Sequence, residues 1–136
     1  MRDFPVELLK PLPGLLFDDS LGLDIEIPFS RFTLDDALVE TSMRLDGVSL
    51  PTTDLQALSG QVFHFPVNPE PGYIDGSIYI EHAHHPTNVT SILFGHAEGD
   101  SIEAKFQVHF LFEFEGLGDY SNTSASVTSR LTKSIR

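Results

Sequence analysis

Cysteine is absent from this 136-residue chain, which excludes disulfides, cysteine-based zinc sites, iron–sulfur clusters and a thiol nucleophile. Positive charge is scarce. Eight Lys and Arg stand against 20 Asp and Glu, a formal net charge of −12. Arg130, Lys133 and Arg136 hold three of those eight, so five cations meet all 20 acids in the first 129 residues, a formal −15. Such a field repels phosphate backbones and anionic lipid, which argues against nucleic-acid and membrane partners and favours a basic protein. No apolar run approaches the ~20 residues of a membrane-spanning helix. Residues Met1 to Lys10 carry Asp3 and Glu7 where a secretion signal needs a basic end and an apolar stretch, so a cytoplasmic location is expected. The G-x-S-x-G elbow, the phosphate-binding P-loop, the dinucleotide fingerprint, the H-E-x-x-H zinc motif and the calcium-loop spacing are all missing. Enzymes with local signatures therefore lose their main support.

What the chain does have is a long alternation. Ile102, Ala104, Phe106, Val108, Phe110, Phe112 and Phe114 share one phase, and Glu103, Lys105, Gln107, His109, Leu111 and Glu113 the other. Period two over this length predicts a strand with one apolar face. Extended to Glu115 it would measure about 45 Å, against a radius of gyration of about 14 Å for a compact chain of this size. Such a strand must bend or coil, as strands do in sandwiches and barrels.

Hydrophobic residues form 40% of the sequence and Phe supplies 11 aromatics, a composition that can build one phenylalanine-rich core. The expected arrangement is a single domain over residues 1–136, with residues 1–20 as an extended N-terminal arm interrupted by Pro5, Pro11 and Pro13. Leu23 to Phe29 reads as a strand ending near Pro28. Residues 33–50 support either a helix capped by Thr33 and Asp36 or a hairpin turning at Asp46-Gly47, and the surrounding β pattern favours the hairpin. Thr53 to Gly60 reads as a short helix capped by Thr53 and Gln56. Strands follow at 61–65, 77–84 and 89–94, then the long strand, then a polar final strand from Tyr120 to Leu131 with Ala125, Val127 and Leu131 inward. The fold class expected is all-β and mainly antiparallel, a sandwich or barrel with one or two short helices.

Four of the six histidines lie at 82, 84, 85 and 96. On a strand spanning 77–84, His82 and His84 follow Ile78 and Ile80 on one face and project side by side. Such a pair, completed by His109, His96, His64 or a carboxylate across the sheet, is a candidate site for a divalent ion such as zinc, nickel or iron, with His109 the first choice of third ligand. The ordinary alternative is two half-exposed rings at a strand end. Gly76, His82-Ala83-His84, Asn88 and Gly95 resemble the first conserved motif of cupins. That resemblance implies a metal-binding β-barrel in which His82 and His84 are ligands. Asn88 stands where the family has a ligand glutamate, and the second cupin motif has no counterpart downstream.

The functional expectation is a small acidic cytoplasmic β-domain that binds another molecule without catalysis and needs no cofactor. An immunity-like protein that neutralises a basic protein fits this charge and size. The alternative is a cupin-like or other metal- or ligand-binding barrel using His82 and His84. The expected edge at Leu23 to Phe29 and the polar final strand also leave room for a homodimer made by strand pairing.

Overall fold

A computed structural model of the chain describes residues 1–19 and 22–135. Ser20, the last residue of the expected arm, lies outside the described residues, as do Leu21 and Arg136. Ten strands run in chain order: β1 (Gly14–Asp19), β2 (Gly22–Pro28), β3 (Phe32–Leu34), β4 (Ala37–Val39), β5 (Ser42–Val48), β6 (Val62–His64), β7 (Asp75–Ile80), β8 (Ala83–Glu98), β9 (Ser101–Phe110) and β10 (Thr123–Ser134). Two one-turn helices are added, α1 (Leu55–Leu58) and α2 (Phe112–Glu115).

Seven strands close into a barrel in the order β8-β7-β5-β2-β1-β10-β9, and β9 returns to pair with β8. Every neighbouring pair is antiparallel except β1 with β10. The expected all-β class is therefore present as a barrel. β6 pairs with the second half of β8, and β3 with β4 forms a separate hairpin. Closure removes the two edges on which a strand-paired homodimer was expected. β2 is hydrogen-bonded to both β1 and β5, and β10 to both β1 and β9.

The long alternation holds from Ile102 to Phe110 and then stops. Ile102, Ala104, Phe106, Val108 and Phe110 are buried while Glu103, Lys105 and Gln107 are exposed. At Leu111 the chain leaves the sheet, and Phe112 to Glu115 coil into α2, which sends Phe112 inward and Phe114 outward. Turning the chain here resolves the excess length: α2 folds over the end of the barrel instead of projecting past it. Phe112 stacks on Phe110 at 5.4 Å and meets Phe4 at 4.5 Å, so the N-terminal segment and α2 together plug that end.

Other boundaries shift for local reasons. Residues 14–19 form β1 of the barrel rather than part of an arm. Between β3 and β4 the chain turns at Asp35-Asp36, both with left-handed φ (49° and 66°), as a two-residue hairpin loop requires. Asp46-Gly47, the expected turn, instead lies within β5 at a register shift against β2, where the Gly47 N–H donates to Asp24 at 3.0 Å. The cap of α1 is Asp54 rather than Thr53, its carboxylate accepting from the Gln56 N–H at 3.2 Å.

The strand expected over 77–84 is two strands. β7 ends at Ile80, Glu81 and His82 take φ of 55° and 65°, and β8 returns from Ala83 with Ile80 opposite Ala83. Pro86 sits within β8 without breaking it. Its carbonyl accepts from the Leu111 N–H at 2.9 Å, so its missing donor falls on the side where β9 has already ended.

Gly76 marks a close approach between β7 and β8. A Cβ there would stand 2.3 Å from the Thr87 carbonyl oxygen and 3.1 Å from the Leu45 side chain. Gly76→Ala is therefore expected to cost about 1–3 kcal/mol by forcing two strands apart. Urea midpoints measure this, and an unchanged midpoint would contradict the close crossing.

Candidate functional site

The barrel interior is filled. Phe94, Phe106, Phe110, Leu16, Met43, Leu45, Ile78 and Ile92 are all fully buried, as a barrel of only seven strands leaves room for side chains rather than for a channel. The phenylalanine stripe is packing, and room for a ligand lies outside the barrel.

Outside, the β3–β4 hairpin stands off the wall made by β2, β5 and β7. Its tip is tied down at the N-terminal end of the chain. The Arg2 guanidinium donates both NH groups to Asp35, each at 3.0 Å, and its Nε donates to Asp119. The same guanidinium lies 4.2 Å over the Tyr120 ring, whose hydroxyl also donates to Asp35. Arg2 holds the Asp35 and Asp119 carboxyls below the usual carboxylate range, chiefly through these hydrogen bonds. Nothing in the local sequence signals this clamp, because its partners lie 33 and 117 residues from Arg2.

Between hairpin and barrel is a cleft of about 640 Å³ whose lining includes Glu26, Arg31, Glu40, Ser42, Arg44 and Tyr79. Alternation in β2, β5 and β7 places Glu26, Arg44 and Tyr79 on the outer face, and the register sets Glu26 directly opposite Arg44. Arg31 and Glu40 approach at 3.5 Å across the hairpin base. Neither Glu26 nor Arg44 has a hydrogen-bond or ion-pair partner among the described residues. Tyr79 is 54% exposed and also lines an adjoining hollow of about 480 Å³ with Leu38, Glu81 and His82.

The three candidate metal ligands are not brought together. His82 is exposed in the β7–β8 turn. His84 is on the outer face of β8, its ring edge-on to Tyr79 at 5.2 Å. His109 lies opposite Asn88 and hydrogen-bonds through Nδ1 with the Ser124 hydroxyl at 2.7 Å. Four residues of strand, about 13 Å, separate His84 from Asn88 and hence from His109, whereas shared zinc ligands must each reach within about 2 Å of one ion. No group of three or more His, Asp or Glu among the described residues is placed to hold a metal ion. The spacing that resembles the cupin motif runs through a hairpin turn, so its two histidines fall on different structural elements.

His85 takes the inward place instead. The two-residue turn reverses the expected phase, and His85, Thr87 and Val89 point into the barrel. The His85 ring is fully buried and edge-on to Phe112 at 5.5 Å. Its Nε2 lies 3.4 Å from the Ile80 carbonyl oxygen, and its Nδ1 has no hydrogen-bond partner among the described residues. Burial pushes its pKa below the ordinary imidazole value, opposed by the Ile80 carbonyl and by Glu115 and Glu81. Only the phase of residues 83–89, read with the turn at 81–82, could have disclosed this from sequence.

No family model, curated protein or solved structure matches this chain. No helix among the described residues is long and apolar enough to cross a membrane.

Proposed function

We propose that the chain is a non-catalytic binding protein that engages a basic protein partner through the outer surface of its barrel, in the manner of a small acidic immunity protein in the cytoplasm. The distribution of carboxylates supports this reading. Of the 20, only Asp24 is buried and only Glu26 is half-buried, so the acid excess is spread over the outer face while the interior is packed solid. A field of this sign accelerates encounter with a cationic surface and opposes polyanions.

The test is capture of partners from a lysate at low and high salt, followed by kinetics with the purified partner. A specific partner with an excess of Lys and Arg is expected, with an association rate that falls about tenfold or more between low and high ionic strength. An acidic specific partner, or an association rate indifferent to salt, would overturn the proposal.

A further inference from the structure

We propose that the cleft between the β3–β4 hairpin and the barrel binds a small zwitterion, an α-amino acid with an apolar or aromatic side chain. This goes beyond the protein-binding reading and does not depend on it. Glu26 and Arg44 are cross-strand neighbours, both line the cleft, and neither has a hydrogen-bond or ion-pair partner among the described residues. Two opposite charges left unpaired side by side match one molecule that carries both. A guanidinium accepts a carboxylate in bidentate fashion, and a carboxylate accepts charge-assisted hydrogen bonds from an ammonium.

The opposite wall repeats the pattern. Arg31 and Glu40 meet only at 3.5 Å, with side chains 70% and 65% exposed, and such a solvated pair contributes little to stability. Either member can turn to a ligand at small cost. Tyr79 adds an exposed ring beside these charges, and Leu38 extends the apolar surface in the adjoining hollow. A simple anion in the cleft would face Glu26 and Glu40, and a simple cation would face Arg31 and Arg44. Only an occupant of both signs satisfies the lining without leaving like charges opposed.

The experiment is an NMR titration of the isotope-labelled full chain with phenylalanine and leucine, and with N-acetylphenylalanine and phenylalanine amide as blocked controls. Saturable shifts centred on Arg44 and Tyr79 are expected for the free amino acids, and each blocked form should bind at least tenfold more weakly. Arg44→Gln and Glu26→Gln should each weaken binding at least tenfold while thermal unfolding stays close to that of the wild type, since neither side chain has a hydrogen-bond or ion-pair partner among the described residues. Absence of saturable shifts with either amino acid, equal binding of a blocked form, or undiminished binding to Arg44→Gln would overturn the proposal. Salt-dependent capture of a basic protein is read separately, so either proposal can fail alone.

Discussion

Phe110→Ala is expected to cost about 3–5 kcal/mol, through lost burial and the cavity left behind. A domain of ordinary stability has about 5–15 kcal/mol in total, so the variant should be marginal. Phe110 is fully buried where β9 meets both β8 and β10, opposite Thr87 and Thr123. It also carries the stacked ring of Phe112, which in turn supports Phe4 and His85. Truncation therefore removes the floor under the plug at that end. Phe114→Ala is the matched control: the same phase of the sequence places it with Phe110, yet it is 71% exposed, and its removal should change stability by no more than about 0.5 kcal/mol. Urea unfolding of both variants decides the matter. A cost below about 1 kcal/mol at Phe110, or an equal cost at Phe114, would contradict the barrel end described above.

Acid should loosen the same region through His85. Its pKa in the folded chain is depressed, mainly by burial, while in the unfolded chain it takes the ordinary value of about 6.5. Above that value both states hold a neutral ring, and stability does not depend on it. Below it the unfolded ring binds a proton that the buried ring refuses, so stability falls as pH falls. The slope approaches about 1.4 kcal/mol per pH unit until the folded ring also protonates. Burial dominates; the Ile80 carbonyl, Glu115 and Glu81 favour the imidazolium and His84 opposes it. Unfolding free energies between about pH 5 and pH 7.5, where the carboxylates stay ionised, isolate this contribution. The wild type should lose stability across that window relative to His85→Gln. Parallel curves for the two proteins would mean that the ring is solvated or already partnered in the folded state.

The lesson about pattern reading lies in three short stretches. Ile102 to Phe110 was legible because one apolar residue at every second position has a single explanation, a strand with one buried face. Phe112 and Phe114 keep the same alternation but belong to a helical turn, since alternation over two residues cannot distinguish a strand from a chain that reverses. At Glu81-His82 the error has a cause of the same kind. Neither residue is a customary turn former, yet both adopt left-handed φ, because β7 and β8 must join within two residues. Each non-glycine residue there accepts some strain that the pairing of Ile80 with Ala83 outweighs. The two-residue reversal moves His85 inward and takes His82 out of the sheet, which dissolves the expected metal site.

By itself the sequence determined the β class, the phenylalanine core, the polarity of the long strand and the acid excess of the surface, because hydrophobic periodicity and net charge act locally or additively along the chain. Closure into a barrel, the parallel pairing of β1 with β10, the clamp of Arg2 on the hairpin tip and the cleft at Tyr79 were decided only by the tertiary structure. Each joins residues distant in sequence, and such pairing depends on register, shear and the direction in which chain ends leave the sheet, none of which is written in local pattern.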